Sequence, residues 1–159
     1  MNKPPFNRRL FLGSLLLGGA ALAVGGVPAF AYDVVKTDAE WKAQLSPMAY
    51  KVLRHAYTEY PFSSPLDKLY AKGIYSCAGC DQRNFSWDTK YDSHTGWPSF
   101  FKPLNNAVLT RDDESDGDSR TEVHCARCGG HLGHVFNDGP RPTGLRYCMN
   151  GAALKFTPA

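Results

Sequence analysis

The chain has 159 residues, of which 43% are hydrophobic and 21% are charged, so it has room for one globular domain and an N-terminal extension. Its formal net charge of +3 comes from Lys3, Arg8 and Arg9, because residues 1–31 hold these three bases and no acid. Without them the 18 basic residues fall to 15, which equals the number of acidic residues, and a neutral domain gives no electrostatic reason to bind nucleic acid or an anionic membrane.

Residues 1–31 have the pattern of an export signal. A basic start leads into an apolar run, and Ala29-Phe30-Ala31 has the small residues of a signal-peptidase site. Asn7-Arg8-Arg9 resembles the twin-arginine signal that exports folded proteins, but Asn stands where Ser or Thr is usual, which leaves the general secretion route open. Glycines and Pro28 interrupt the apolar run, so we expect a cleaved signal peptide rather than a membrane anchor. The mature protein is then exported to the bacterial periplasm, without stable membrane association.

Residues 32–44 are predicted to form a linker and a short helix. Thr37-Asp38-Ala39-Glu40 has the capping-box pattern, so a helix carrying Trp41 and Leu45 should begin there. Ser46-Pro47 predicts a second helix, because Ser is a favourable N-cap and Pro is tolerated at the first helical position. The buried stripe of the second helix should consist of its apolar residues at helical spacing, Met48, Val52 and Leu53.

From Gly73 onward, short apolar runs alternate with Gly, Pro, Asn and Asp, which is typical of strands and turns. The candidate strands are residues 73–76, 84–87, 107–110, 121–124, 132–136, 145–149 and 153–156. We therefore expect a mainly β domain with a helical N-terminal cover.

Four of the five cysteines form two C-x-x-C pairs, Cys77 with Cys80 and Cys125 with Cys128. Each pair follows a candidate strand, and two thiolates at this spacing can bind one zinc ion at about 2.3 Å. Two disulfides are the alternative, since exported proteins meet an oxidising compartment, but each bond would close only a very small loop. We favour one structural zinc ion per chain, with four thiolate ligands and no open coordination position.

The fifth cysteine, Cys148, is left over. A lone free thiol is often an inert residue of the core. Here, however, residues 145–149 alternate and lead into a turn, so Arg146, Cys148 and Asn150 should share one face. The Arg146 guanidinium can hold a thiolate and lower the pKa of Cys148, and the Asn150 amide can orient a substrate. Cys148 is therefore a candidate nucleophile.

His131-Leu132-Gly133-His134 supplies two further candidates, as acids or as orienting hydrogen-bond donors. Two alternatives stay open for these histidines. They can be ligands of a second metal ion, although four better ligands already satisfy one ion, or one of them can fill the core.

Several strings of the mature chain occur together in one known family. They are Val52-Leu53-Arg54, Thr58-Glu59, Pro61-Phe62-Ser63-Ser64-Pro65-Leu66, Gly96-Trp97-Pro98-Ser99-Phe100, Arg120-Thr121-Glu122-Val123, residues 131–136, Asp138-Gly139-Pro140 and residues 142–148. In order and spacing they resemble the B-type methionine sulfoxide reductases, over nearly all of residues 45–159. The resemblance implies a mainly β, α+β fold of the β-tent type, in which two antiparallel sheets carry short N-terminal helices and a structural zinc site.

The resemblance also assigns roles to residues of this chain. The family's nucleophile falls on Cys148. Its other catalytic positions, which hold the substrate or donate a proton, fall on His131, His134, Arg146 and Asn150. The substrate-binding positions are Trp97, Phe100 and Asp138. Asp138 and Glu122 match positions that support the site, although both can also be ordinary loop and strand acids.

The resemblance implies reduction of methionine sulfoxide in oxidised proteins and peptides. The Cys148 thiolate would attack the sulfoxide sulfur while a protonated neighbour, by preference His131, donates to the departing oxygen, which leaves Cys148 as sulfenic acid. Trp97 would pack on the ε-methyl group of the substrate and so select the R epimer. A tryptophan buried only for packing is the alternative.

Many members of the family carry a recycling cysteine at the position of Thr95. Because zinc takes four of the five thiols here, no cysteine is left to reduce Cys148, and we expect a thioredoxin-like or other external thiol to do so. His94 replaces a more usual Gly and Gly151 a more usual Ser, and both are expected near the pocket. We expect a monomer.

Two other functions remain open at this point. A non-enzymatic zinc-ribbon module that binds a partner accounts for the paired cysteines but not for Cys148 beside Arg146 and Asn150. A general thiol-disulfide oxidoreductase would use a C-x-x-C pair for redox chemistry, so that pair would not be held in a metal site.

Overall fold

Two short helices come first in the part of the chain that this computed structural model describes, residues 32–115, 117 and 119–159. Helix α1 spans Asp38–Gln44 and has the predicted capping box, in which the Thr37 hydroxyl accepts from the Glu40 N–H and the Glu40 carboxylate accepts from the Thr37 N–H at 2.8 Å. Helix α2 spans Pro47–His55, with Ser46 as its N-cap. Both predicted helices are confirmed.

The inner face of α2 differs from the prediction at one position. Ala49, Val52 and Leu53 are buried, whereas Met48 is 38% exposed. The three buried residues follow the i, i+3, i+4 spacing of one helix face, and Met48 lies one position away from that face, so its predicted burial is wrong.

Within the described residues, the helices fall short of the length and apolar character needed to cross a membrane. The predicted signal peptide and its cleavage site, residues 1–31, lie outside the described residues.

Among the described residues, nine strands follow the helices, and every pairing between them is antiparallel. Their bounds are β1 Gly73–Cys77, β2 Arg83–Ser86, β3 Lys90–Tyr91, β4 Ser99–Phe100, β5 Val108–Asp113, β6 Arg120–Cys125, β7 His131–Phe136, β8 Arg146–Met149 and β9 Leu154–Pro158. A three-stranded sheet has the order β2-β1-β9, and a six-stranded sheet has the order β3-β4-β8-β7-β6-β5. The predicted mainly β fold with two antiparallel sheets is therefore confirmed.

Aromatic side chains from both sheets meet in the core. Tyr75 of β1 and Phe85 of β2 belong to the smaller sheet, and Phe100 of β4 belongs to the larger one. Phe85 stacks on Phe100 at 4.4 Å between ring centroids, and Tyr75 meets Phe100 edge-on at 5.0 Å. All three are completely buried, so the two sheets share one hydrophobic core.

Three details of the strand prediction are corrected. Trp87, predicted at the end of a strand, begins a 3-10 turn over Trp87–Thr89. Strands β3 and β4 were not predicted, because two residues are too few to show an alternating pattern. They form because β4 pairs with the longer β8, which gives its backbone groups hydrogen-bond partners.

Candidate active site

Cys148 lies in the middle of the six-stranded sheet, on β8 between β4 and β7. Ser99 is its cross-strand partner on one side, and His134 is its partner on the other. Residues directly opposite each other in antiparallel strands share one face of the sheet, with Cβ atoms about 5 Å apart. The register therefore places a hydroxyl and an imidazole on either side of the Cys148 thiol.

A cavity of about 220 Å³ opens on this face, and Cys148 lines it. Four more of the predicted site residues, Trp97, His134, Arg146 and Asn150, line the same cavity. The structure thus brings together five side chains that are up to 53 residues apart in the sequence. The sequence interpretation gave no site role to the other five lining residues, Thr58, Thr95, Arg120, Gly133 and Phe136.

Three predicted site residues do not line this cavity. Phe100 is completely buried in the aromatic core and does not line the cavity, so its substrate-binding role stays a prediction. Asp138 is mostly exposed and binds both ends of the Arg146 guanidinium at 2.8 and 2.7 Å. His131 is buried and lines a second, polar cavity of about 270 Å³.

Burial determines the protonation of Cys148. Removal from water raises the pKa of the thiol, and Thr95, Arg146 and Ser99 lower it by smaller amounts. Arg146 thus lowers the pKa of Cys148 as predicted, but burial outweighs its effect. Arg146 acts in the expected direction, but Asp138 neutralises much of its charge, and its guanidinium lies 4.3 Å over the Phe136 ring.

His134 is held by an acid that the sequence interpretation did not include. Its Nε2 atom lies 2.7 Å from an Asp113 carboxylate oxygen, and the same oxygen accepts from Arg120 at 3.0 Å. Burial lowers the pKa of His134, and the hydrogen bond to Asp113 opposes that effect. The alternating pattern of β5 and β6 is the sequence signal that could have identified Asp113, because Asp113 and Arg120 are cross-strand partners.

His131 and His134 reach the same face of the sheet although they are three residues apart. The register between β6 and β7 shifts between Val123 and His124, and this irregularity turns His131 toward the face that carries His134. The two rings lie 5.3 Å apart between centroids. His131 Nδ1 is 2.7 Å from the buried carboxylate of Glu122, which also accepts from Arg111, so His131 is fixed away from the Cys148 cavity.

Gly133 lets β7 and β8 approach each other closely beside the nucleophile. A Cβ atom at this position would lie 2.1 Å from the carbonyl oxygen of Cys148 and 3.0 Å from the Cα of Met149. Both contacts are with backbone, which cannot move aside without breaking the strand pairing. A side chain at residue 133 is therefore excluded.

The buried residue Glu59 holds two cavity residues in place. Its carbonyl oxygen accepts from the Trp97 indole at 3.0 Å, and its N–H donates to the Asn150 side chain at 2.9 Å. Its carboxylate accepts from the N–H groups of Gly151 and Ala152 at 2.5 and 2.9 Å. The Asn150 amide also donates to the Leu132 carbonyl at 3.2 Å, which leaves one amide hydrogen for a ligand.

The two replacements that the sequence analysis placed near the pocket do not line it. His94 is 85% exposed and contacts Asp92. Gly151 is buried and faces Ser64, whose hydroxyl oxygen would lie 1.9 Å from a Cβ atom at residue 151. The difference at Gly151 therefore concerns packing around Ser64 rather than the cavity.

The other four cysteines form one buried cluster, in which all sulfur atoms lie within 4.8 Å of one another. Cys77 Sγ is 3.7 Å from Cys128 Sγ, and Cys80 Sγ is 3.5 Å from Cys125 Sγ. Four sulfurs at about 2.3 Å from one tetrahedral zinc ion would be about 3.8 Å apart, whereas disulfide sulfurs are about 2.05 Å apart. The free thiols and their spacing fit a zinc site and disagree with the two-disulfide alternative.

The electrostatics of the cluster also fit a cation. The Cys125 sulfur raises the pKa values of the Cys77 and Cys128 thiols. Four thiolates this close repel one another, and a divalent cation removes that cost. Side chains on neighbouring elements hold the two turns, since Gln44 donates to the Gly79 carbonyl at 2.7 Å and Arg54 to the Cys128 carbonyl at 3.2 Å.

Comparison with known proteins shows which family and which relatives this chain resembles. A family model described as the SelR domain matches residues 45–158. The chain is 55% identical over 126 residues to the "Peptide methionine sulfoxide reductase MsrB" of Leptospira interrogans serogroup Icterohaemorrhagiae serovar Lai, a match that covers 79% of this chain and 96% of that protein.

Proteins of the same description in other organisms are similarly close. The relative from Agrobacterium fabrum is 52% identical over 126 residues, covering 79% of this chain and 93% of that protein. The relative from Methanosarcina mazei is 51% identical over 125 residues, covering 78% of this chain and 89% of that protein.

Proposed function

The chain belongs to the methionine sulfoxide reductase B family and is a peptide-methionine sulfoxide reductase, and on this premise we propose that it reduces the R epimer through a sulfenic acid on Cys148. One observation carries the proposal. The Cys148 thiol lies between Ser99 and His134 and lines a cavity that Trp97 also lines. Nucleophile, proton donor and apolar wall are therefore present in one cavity.

In the proposed reaction, the Cys148 sulfur attacks the sulfoxide sulfur while the sulfoxide oxygen takes up a proton. The bond between sulfur and oxygen breaks, and the oxygen passes to Cys148, so methionine is formed and Cys148 becomes a sulfenic acid. The methionine sulfur gains two electrons, and the Cys148 sulfur loses two. The cavity position of His134 favours it over His131 as the proton donor, in contrast to the sequence interpretation.

Trp97 supports selection of the R epimer. Its indole N–H is bound to the Glu59 carbonyl at 3.0 Å, which fixes the plane of the ring. A fixed aromatic face accepts the apolar ε-methyl group but gives the S=O group no hydrogen bond. With the methyl group on Trp97, only one epimer presents its oxygen to His134.

We propose a one-cysteine cycle for regeneration. The four clustered cysteines are committed to the metal site, and Thr95 has no thiol. An external thiol then attacks the Cys148 sulfenic acid, which releases water and forms a mixed disulfide, and a second thiol releases Cys148 and leaves as the oxidised disulfide. The reductant is a thioredoxin-like protein or another thiol.

The zinc ion, one per chain, would be held by Cys77, Cys80, Cys125 and Cys128. It would supply charge neutralisation for four thiolates and a cross-link, with no part in catalysis, because all four ligand positions are taken. We further propose that the mature chain is a monomer in the periplasm, after export by the twin-arginine signal of residues 1–31.

The activity is tested with separated epimers of peptide-bound methionine sulfoxide. We expect turnover of the R epimer only, and none after Cys148→Ser, which retains the metal. Turnover by Cys148→Ser would contradict the role of Cys148, and binding without turnover by the parent would favour the zinc-ribbon module. Mass spectrometry after one turnover without reductant should find one added oxygen on the Cys148 peptide; a disulfide within the chain would contradict the one-cysteine cycle.

Export is tested separately from catalysis. The full chain should reach the periplasm and lose its first 31 residues, and Arg8→Lys with Arg9→Lys should keep it in the cytoplasm. Unchanged export of this double variant would point to the general secretion route.

A further inference from the structure

Three hydroxyl groups connect the Cys148 sulfur with a backbone carbonyl in an unbroken chain. Thr95 Oγ1 lies 3.8 Å from Cys148 Sγ, within the range of a hydrogen bond to sulfur, and 2.8 Å from Ser93 Oγ. Ser93 Oγ lies 2.7 Å from Ser99 Oγ, and Ser99 Oγ donates to the Trp97 carbonyl at 3.1 Å. The chain thus has four links and ends on an acceptor.

A count of hydrogens fixes the direction of this chain when Cys148 is a thiol. The thiol and the three hydroxyls carry one hydrogen each, which gives four hydrogens for four links. Because the Trp97 carbonyl only accepts, Ser99 must donate to it, Ser93 must donate to Ser99, and Thr95 must donate to Ser93. The Cys148 thiol then donates to Thr95, and every link is satisfied.

Loss of the thiol proton reverses this arrangement. The thiolate only accepts, so Thr95 turns its hydrogen to the sulfur, Ser93 donates to Thr95, and Ser99 donates to Ser93. Three hydrogens then serve three links, and only the bond to the Trp97 carbonyl is given up. A neutral bond is exchanged for a charge-assisted one, which is about twice as strong.

We propose that the Thr95, Ser93 and Ser99 hydroxyls act as a reversible hydrogen-bond chain in which Thr95 is the positioning donor for the Cys148 thiolate. The proposal rests on the proposed function in so far as Cys148 is the nucleophile. Its place in the site explains why a donor is needed: burial disfavours the thiolate, and the nearby guanidinium of Arg146 is shared with Asp138. Ser99 is the cross-strand partner of Cys148, so the third hydroxyl lies on the strand next to the nucleophile.

The experiment measures how fast Cys148 is alkylated by iodoacetamide as a function of pH, in the metal-loaded chain, with mass spectrometry of the Cys148 peptide as readout. Only the thiolate reacts, so the midpoint of the curve reports the pKa of the thiol. Three variants are compared: Thr95→Val, which keeps the shape but not the hydroxyl, Thr95→Ser, which restores the hydroxyl, and Ser93→Ala, which interrupts the chain one link further from the sulfur.

We expect Thr95→Val to raise the midpoint by about one pH unit and to slow alkylation at pH 7 roughly tenfold, the effect of one lost donor. Thr95→Ser should match the parent, and Ser93→Ala should give a smaller rise, because Thr95 can still donate to the sulfur but loses its own donor. The graded order identifies a chain, since a single local contact would leave Ser93→Ala unchanged.

Three results overturn the proposal: a Thr95→Val midpoint equal to that of the parent, failure of Thr95→Ser to restore it, or an unchanged Ser93→Ala midpoint. Metal content and melting temperature are measured for each variant, and Ser93→Ala provides the test if Thr95→Val does not fold. Alkylation needs no methionine sulfoxide, so a wrong proposed function would appear as absent turnover in the parent, whatever the midpoints are.

Discussion

At the scale of single residues, Cys148 shows how burial competes with nearby charge. Its thiol is only partly accessible, and the resulting rise in pKa outweighs the opposing effects of Thr95, Arg146 and Ser99. A free enzyme with a protonated nucleophile is less prone to unwanted oxidation, because the thiolate is the form that oxidants attack. Burial of Cys148 therefore limits how much of the thiol is present as the reactive thiolate.

The pH dependence of Cys148 follows from this shift. Because the pKa is raised above its ordinary value of 9.0, the reactive thiolate is a minor form at neutral pH, and alkylation should rise roughly tenfold for each pH unit from pH 7 to pH 9. Arg146→Met removes a cation that lowers this pKa, so its curve should lie at still higher pH. A plateau of the parent below pH 8 would contradict the shift.

The two histidines should differ when substituted. His134→Asn is expected to reduce kcat by about 10²–10⁴-fold, the usual contribution of a general acid, with little change in melting temperature. His131→Asn leaves the buried Glu122 carboxylate without one of its partners, so it should lower the melting temperature more than kcat. Steady-state kinetics and thermal unfolding of both variants check this. A larger loss of kcat in His131→Asn would return the acid role to His131.

At the scale of elements, β7 carries two histidines that serve neighbouring sites on the same face of the sheet. Its first residue, His131, serves the polar cluster around Glu122, and its fourth, His134, serves the cavity, which a regular strand would place on opposite faces. The register shift opposite Gly133 removes that conflict, and the missing Cβ lets β8 approach.

Gly133→Ala tests this close approach. Its φ of 157° lies in a region that side-chain-bearing residues rarely adopt, and a Cβ atom would also collide with the Cys148 backbone. We therefore expect a loss of about 2 kcal/mol or more of unfolding free energy, together with most of the activity. Gly144→Ala is the matched control. It has φ of 73° but open space around its Cβ, so it should cost only about 1 kcal/mol and leave turnover unchanged. If chemical denaturation showed equal losses of unfolding free energy in the two variants, the collision would not be the cause.

Sequence patterns predicted the elements whose signals are local. The caps Thr37 and Ser46 are read from neighbouring residues, and Cys148 stood out because the other four cysteines are paired. The contributions of Glu59 and Asp113 could not be read in this way. Glu59 acts through contacts 38 to 93 residues away, and the register shift that turns His131 to the face of His134 leaves no mark in an alternating pattern.

At the scale of the whole molecule, the cysteine cluster joins the two sheets. Cys77 ends β1 of the smaller sheet, and Cys125 ends β6 of the larger one, while Cys80 and Cys128 lie in the turns that follow. A metal ion held by all four would therefore cross-link strands 48 residues apart in the chain, in a site whose turns are also held by Gln44 and Arg54.

Removal of the metal should consequently destabilise both sheets together. We expect chelation, or Cys125→Ser, to lower the melting temperature by about 10 °C or more in one cooperative transition, because metal binding energy contributes directly to folding. Cys148→Ser is the control and should melt like the parent. Metal-free protein with the melting temperature of the parent would show that the cluster is not the cross-link.

The position of Cys148 on an inner strand has a kinetic consequence. A nucleophile on a mobile loop can swing away to meet a second reactant elsewhere, but β4 and β7 clamp this one from both sides. In a one-cysteine cycle, oxidised peptide and reducing thiol must then use the same entrance in turn. A mechanism in which the two reactants bind in turn gives parallel lines in double-reciprocal plots. An excess of either reactant should inhibit turnover, because it occupies the cavity that the other reactant needs.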